Sequence, residues 1–242
     1  MLLKRFNTSF TEVKDKNKTN YFSSIIKYIK SPKKLSKRLL WEFNKYNIEL
    51  DWKKRSREMG NSSVFEHNIS EQQQKELTRI HEELIFRVLK DYVKTNMNLL
   101  DFGCGYGRFK KFFENKLSMN YFGVEKENFF LKNLDKKKFF DYENFKNSIK
   151  FDGFFDLIFL WAVLGGFNNK NLFNVVELLK KKLSKNGIIC FVEIVSKTEK
   201  QGYWKFRTIN YYQNLFKGFK INSDYYFIED SIRKNFFLIT KN

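Results

Sequence analysis

From Ser70 onward, two hydrophobic rhythms alternate along the chain. Ser70 followed by Gln73 has the form of a capping box, and Leu77, Ile80, Leu84 and Val88 then recur at helical spacing. A helix is expected from Ser70 to about Lys94. Short apolar runs follow, and NLLDF (98–102), YFGVE (121–125), KFFD (138–141), FDLIFL (155–160) and IICFVEIV (188–195) read as strands. Between the last two, Leu172, Val175, Val176 and Leu179 share one face of the segment from Asn171 to Leu183. Lysines crowd its last turn and Gly187 follows as a stop, so this segment reads as a helix. Strands alternating with helices predict a parallel sheet with right-handed crossovers. The tail carries a helix near NYYQNLF and two strands, DYYFIE and NFFLIT, too closely spaced for a crossover helix. These two are expected to pair antiparallel at one edge.

Residues 1–69 show little regular pattern and no internal repeat is visible. The stretch YFSSIIKYIK (21–30) is basic and amphipathic, with Ile25, Ile26 and Ile29 on one side. It fits either a weak contact with a membrane surface or a helix docked on the main body, and the second is favoured. Another helix is expected around 35–46. The organisation expected is an N-terminal helical extension, 1–69, followed by one α/β domain, 70–242.

The first strand runs into LLDFGCGYGRF (99–109), where three glycines follow an acidic residue. Glycine at that density costs backbone entropy, so a close approach to the main chain has to require it. In an open parallel sheet ligands bind at the carboxyl ends of the strands, and the helix that follows offers free N–H groups. A dinucleotide site wants G-x-G-x-x-G, but the place of its third glycine holds Arg108. Asp101 closes the strand, and a negative charge there suits a ligand carrying an amino group and a sulfonium better than a pyrophosphate.

D-x-G-x-G-x-G is the first motif of the class I S-adenosylmethionine-dependent methyltransferases, which this stretch closely resembles. Further landmarks follow in order: Glu125 ends the second strand, Asp141 the third, FDLIFLWAVL is similar to the family's fourth strand and LSKNGIICFVE to its fifth. The resemblance covers Ser70 to Asn242. It implies a Rossmann-like, mostly parallel seven-stranded sheet with an antiparallel edge pair, and S-adenosyl-L-methionine as cofactor. The cofactor-binding set it implies is Asp101, Gly103, Gly105, Gly107, Arg108, Glu125, Asp141 and Leu160. In the family the acid matching Glu125 accepts from both ribose hydroxyls, and the one matching Asp141 from the adenine amino group. Arg108 either reaches the cofactor carboxylate or faces solvent. Cys104 reads as a small residue in a crowded turn, and Asp156 as the start of a strand.

The acceptor is bounded mainly by exclusion. Amino-group methylases of adenine and cytosine carry [DNS]-P-P-[YF] after the fourth strand, where this chain has Leu160, Trp161, Ala162 and Val163. The Pro-Cys of cytosine-C5 enzymes is also absent. What remains resembles the small-molecule methyltransferases of bacteria, including those that act on sugars and surface glycans, so the expected acceptor is oxygen or nitrogen of such a precursor. Glu193, at the end of the fifth strand, is the first candidate for an acid or base facing the acceptor. Its alternative role is an ion pair with Arg207. His67 is the second candidate base, Trp161 is either a wall of the acceptor site or core, and His81 reads as structural.

Lysine and arginine number 46 against 27 acids, for a net charge of +19. That excess fits a polyanion partner, and an RNA methyltransferase is the alternative reading, with a non-catalytic binding module as another. Lysine spread along the whole chain favours a solvated surface instead, and no specific nucleic-acid partner is expected. The two cysteines, Cys104 and Cys190, are too few and too distant for a disulfide scaffold or a four-ligand zinc site. With no apolar run long enough to span a bilayer, a cytoplasmic enzyme without a metal is expected.

Overall fold

The computed structural model describes residues 48–65, 69–198, 204–229 and 232–241. The helices expected at 21–30 and 35–46 lie outside the described residues. Within the expected extension, a helix the pattern did not disclose, α1 (Ile48–Met59), leads into a short 3-10 turn, Gly60–Val64. The domain then runs α2 (Glu71–Leu89), β1 (Asn98–Phe102), β2 (Asn120–Glu125), α3 (Asn128–Leu131), β3 (Phe139–Asp141), α4 (Tyr142–Asn147), β4 (Phe155–Trp161), α5 (Asn169–Lys182), β5 (Leu183–Ile194), α6 (Ile209–Leu215), β6 (Phe219–Asn222), β7 (Tyr226–Glu229) and β8 (Ile232–Lys241).

The capping box forms as expected: Ser70 Oγ accepts from the Gln73 N–H, and Gln73 Oε1 accepts from the Ser70 N–H at 2.7 Å. The face that α2 buries nevertheless keeps only part of the expected stripe. His81, Ile85, Val88 and Leu89 are buried, whereas Ile80 is 41% exposed. Of the expected stripe, Leu77 and Ile80 line a crevice, while Leu84 packs against the core and Val88 is buried in it; one residue advances a helix by about 100°, and His81, beside Ile80, takes a core position. The helix ends at Leu89 rather than near Lys94.

Among the described residues eight strands, one more than the seven expected, form one sheet in the order β3-β2-β1-β4-β5-β8-β6, with β7 also paired to β8. From β3 to β5 the pairing is parallel; β8 is antiparallel to β5, β6 and β7. The antiparallel tail pair expected from the sequence is present as β7–β8, and β8 is in addition the strand that docks on β5. Leu99, Leu100, Leu157 and Ile158 have no exposed surface, each burial stabilising by roughly 1.5–3 kcal/mol. Alternate residues feed two apolar layers, Leu99 and Phe159 on one face and Leu100 and Ile158 on the other.

Gly187 differs from its expected role as a helix stop. It lies inside β5, where the register with β4 shifts between Phe155↔Leu183 and Leu157↔Ile188. A Cβ at Gly187 would sit 2.9 Å from the Phe155 carbonyl oxygen, so the close approach of two backbones requires glycine there.

Candidate active site

The turn after β1 hangs from β2: the N–H groups of Gly103 and Cys104 both donate to the Val124 carbonyl, at 2.8 and 3.1 Å. Gly103, Gly105 and Gly107 have φ of +77°, +55° and +79°, the left-handed region that side chains disfavour. Gly103 is doubly constrained, because a Cβ would lie 2.6 Å from Val163 Cγ2 in the loop after β4. Gly103 and Gly105 line a crevice at the carboxyl ends of the strands, whereas a Cβ on Gly107 would meet the Phe139 ring.

Two carboxylates flank the turn. Asp101 is buried, and Tyr121 Oη donates to its Oδ2 at 2.7 Å. Burial pushes its pKa up to about 7, against the opposing effects of the Tyr121 hydrogen bond and the nearby Arg108 charge. Glu125 is half-buried; its Oε2 accepts from the Gly105 N–H at 2.8 Å and its Oε1 from those of Lys126 and Glu127 at 2.7 and 3.0 Å. Burial raises this pKa as well, opposed by the same N–H groups. About one of its four lone-pair positions stays unfilled. Neither acid pairs with a cation among the described residues.

The crevice encloses about 1750 Å³. That exceeds the roughly 300–1,000 Å³ of a single-ligand site, so there is room for a cofactor and an acceptor together. Asp101, Gly103, Gly105 and Glu125 line one side of it and Trp161, Ala162 and Val163 another. Residues of the N-terminal extension line it too: Arg55 Nη2 donates to the Ser63 carbonyl at 2.9 Å, and Val64 and Phe65 complete the lining over the glycine turn. Val64 Cγ1 comes within 3.3 Å of where a Gly105 Cβ would be.

The remaining expected site residues divide. Arg108 lines the crevice and Trp161 does so half-buried, while stacked against Phe227 at 5.9 Å and tilted over Phe109 at 5.4 Å. Leu160 does not line it: it is fully buried in the apolar layer beneath α5, because alternation along β4 turns it away from Trp161. Asp141 does not line it either. Its Oδ1 accepts from the Asn144 N–H at 3.0 Å as the N-cap of α4, and the neighbouring Tyr142 faces the crevice instead. Asp156 starts β4 as expected, its Oδ2 accepting from the Asn98 N–H at 3.0 Å. His67 lies outside the described residues.

Glu193 takes neither of the roles expected for it. The side chain is buried and absent from the crevice lining, and its Oε1 accepts from the N–H groups of Val163 and Leu164 at 2.7 and 2.5 Å. Arg207, also buried, donates to the carbonyls of Leu164 and Phe167 at 3.1 and 2.6 Å and to Asn169 Oδ1 at 3.0 Å. The two charges do not pair directly; they hold the 162–167 loop, one through its N–H groups and the other through its carbonyls. Burial pushes Glu193 up to about 7, opposed by those N–H groups and by Arg207. The loop also contains Ala162 at φ +53°, a strained backbone for alanine that this double hold maintains.

Several participants carried no signal in the sequence: Tyr121, whose hydroxyl meets Asp101 only because β1 and β2 pair; Tyr142; and Arg55 with the 60–65 turn. Among the described residues no cluster could hold a metal ion, and no helix is long and apolar enough to cross a membrane.

The donor set suits the cofactor expected from the glycine turn. Two acids without a cationic partner among the described residues flank a glycine turn at the crevice wall, an arrangement that a cationic nucleoside would complement.

A family model described as a methyltransferase domain matches residues 69–222. No curated protein matches the sequence. Among solved structures, a methyltransferase from Leishmania major described as S-adenosylmethionine-dependent superposes with a TM-score of 0.57 at 16% identity, over 68% of this chain and 73% of that one. The PH0226 protein of Pyrococcus horikoshii gives 0.54 at 14% identity, over 68% and 91%. An S-adenosylmethionine-dependent methyltransferase from Archaeoglobus fulgidus gives 0.52 at 15% identity, over 68% and 94%. At these identities the likeness is one of fold.

Proposed function

This chain belongs to the methyltransferase-domain family, and on that premise we propose that it transfers a methyl group from S-adenosylmethionine to oxygen or nitrogen of a small molecule or glycan precursor. The observation that carries the reading is the pair of acids, Asp101 and Glu125, without a cationic partner among the described residues beside a glycine turn that lines the crevice. S-adenosylmethionine, when bound, supplies a methyl group activated by its sulfonium.

The chain's own residues bind and align. Asp101 offers negative charge to the cationic part of the ligand. Glu125, braced by three N–H groups, presents its remaining acceptor capacity to ribose hydroxyls. The glycines let the main chain approach, and Arg108 is the cation available for an anionic group. The 162–167 loop, held by Glu193 and Arg207, shapes the wall against which the acceptor would lie. Holding a nucleophile in line with the methyl carbon is itself a large contribution to rate. A base is needed only for an acceptor that must lose its proton first, and His67 is the candidate for that step.

The test is transfer of labelled methyl from S-adenosylmethionine to a panel of sugar nucleotides and small amines and phenols, beside total RNA. Label entering a low-molecular-weight acceptor supports the reading. Label entering RNA alone overturns the acceptor class, and failure of wild type to bind S-adenosylmethionine in calorimetry overturns the assignment of the crevice.

A further inference from the structure

Side chains from five parts of the fold converge at one side of the crevice. Arg108, from the glycine turn, donates from Nη2 to His81 Nδ1 on α2 at 3.1 Å. His81 Nε2 lies 2.8 Å from Glu229 Oε1 at the end of β7, and Glu229 Oε2 pairs with Lys234 of β8. The Trp161 ring, from β4, lies over the His81 ring with centroids 4.4 Å apart. All five side chains line the crevice.

The partners dictate the tautomer. A guanidinium only donates, so Nδ1 must be the acceptor, and the ring proton then sits on Nε2 and is donated to Glu229. Such an imidazole must be neutral. Burial, with the charges of Arg108 and Lys234, lowers its pKa to about 2, so it stays neutral across the working range.

A neutral acceptor next to an arginine has a consequence that a carboxylate would not have. An Asp or Glu at position 81 would fix the guanidinium equally well but cancel its charge. The imidazole fixes the plane and adds no charge of its own: Glu229 stands beyond the ring and is paired with Lys234, and Asp101 and Glu82 act on Arg108 only through space, without an ion pair. Rings complete the hold: the Arg108 guanidinium carbon lies 4.2 Å from the Phe109 centroid, 5.0 Å from Phe65 and 5.6 Å from Trp161. Among the described residues no carboxylate comes within ion-pair distance of Arg108. A half-buried cation, oriented and without an ion-pair partner among the described residues, at the wall of a ligand crevice is open to an anion.

We propose that Arg108 is the anchor for an oxyanion, carboxylate or phosphate, of a ligand in this crevice, and that His81, backed by Glu229 and Lys234, is the positioning residue that aims it. The inference rests on the crevice being the methyl-transfer site. Two sources could provide the oxyanion: the amino-acid end of the cofactor or an anionic group on the acceptor. In either case an arginine already held in place loses less rotamer freedom when it binds.

The test is calorimetry on the full chain with S-adenosylhomocysteine and with 5′-methylthioadenosine, which lacks the amino-acid end. Inorganic phosphate titrated into the protein saturated with S-adenosylhomocysteine probes the second source. The variants are Arg108→Met, His81→Phe, which keeps a ring over Trp161 but loses the lone pair, His81→Gln, which can still accept from Arg108 and donate to Glu229, and the Arg108→Met/His81→Phe double variant. If the oxyanion is the cofactor's, Arg108→Met weakens S-adenosylhomocysteine by about tenfold or more and leaves 5′-methylthioadenosine within about twofold. If it is the acceptor's, both nucleosides are unaffected and phosphate binding is lost in Arg108→Met. In either arm His81→Phe costs about fivefold on the same probe, His81→Gln restores most of it, and His81→Phe adds nothing once Arg108 is Met. The anchor is overturned if Arg108→Met changes neither S-adenosylhomocysteine nor phosphate. The positioning role is overturned if His81→Phe costs as much in the Arg108→Met background as alone, or if His81→Gln rescues nothing. Should His81→Phe fail to fold, His81→Leu, which likewise has no acceptor for Arg108, takes its place in both backgrounds. Wild type binding neither nucleoside would instead sink the methyl-transfer reading.

Discussion

Glu125 and Glu193 look alike in sequence: each closes an apolar strand in the parallel part of the sheet. In the structure each carboxylate accepts from main-chain N–H groups, and burial raises the pKa of both. Their uses are opposite. Glu125 braces the glycine turn and still faces the crevice, whereas Glu193 is sealed beneath the loop after β4. Register explains the difference. Asp101 pairs with Gly123, so Glu125, two residues on, shares the face of Asp101. Asp101 also pairs with Phe159, and Phe159 with Cys190, so Glu193, three residues beyond Cys190, points to the other face. An acid at a strand end is therefore a functional signal only once its face is known.

The largest effect expected is on the sealed side. Arg207→Met leaves the buried Leu164 and Phe167 carbonyls without their donor, at roughly 1–3 kcal/mol each, and removes the positive charge near Glu193. For a domain of this size that lowers the melting temperature by about 10 °C, read by calorimetric unfolding. A shift below about 2 °C would show that the loop does not depend on this clamp.

Paired variants of the two glutamates sharpen the contrast directly. Glu125→Ala is expected to weaken S-adenosylmethionine by at least about tenfold, since charge-assisted hydrogen bonds are worth roughly 1.5–3 kcal/mol each. Glu193→Gln keeps an oxygen for the Val163 and Leu164 N–H groups, and a carboxyl with a pKa about 7 is already partly neutral at pH 7. Cofactor affinity and turnover per folded molecule should then stay within about threefold of wild type. A loss of about 10²-fold in turnover with an unchanged melting temperature would restore Glu193 as a catalytic base.

A smaller effect separates Asp101 from both. Its folded pKa, about 7, is raised from the ordinary 3.8, so the ligand-free folded state holds a proton there that the unfolded chain has released. The stability from this group is complete below about pH 4 and is lost as pH rises through 7. Binding of a cationic cofactor favours the ionised form, so affinity should climb with pH, by at most about tenfold per unit, and level off above 7. Asp101→Asn should flatten that climb. Calorimetric titrations between pH 5.5 and 8 test it, and the same slope in the variant would assign the titration to another group.

Much of the fold and part of the site are legible in the sequence. The capping box at Ser70, the succession of strands along the chain and the glycine turn all follow from contacts between near neighbours, which spacing and residue type report directly. The resemblance carried by D-x-G-x-G-x-G points to the cofactor for the same reason, because the whole motif lies in one short segment. The expectations that fail are of another kind. Leu160 and Asp141 sit beside the right places, but a single step along a strand or into a helix turns a side chain from the crevice to the core or to a cap. Ile80, expected on the buried stripe, is exposed at the crevice while its neighbour His81 is buried, a choice that only packing sets.

By itself, then, the sequence determined the α/β class, the position of the turn and the acids that flank it, since these are local patterns of 2.0 and 3.6 residues with glycines where φ must be positive. Tertiary structure decided which of the strand-end acids faces the crevice, what holds the loop opposite, and which side chain orients Arg108. His81 and Glu229 are 148 residues apart in the chain. Their contact exists because β7 folds back on β8 beside α2, and no local periodicity encodes the register and docking that bring two such distant side chains to one hydrogen bond.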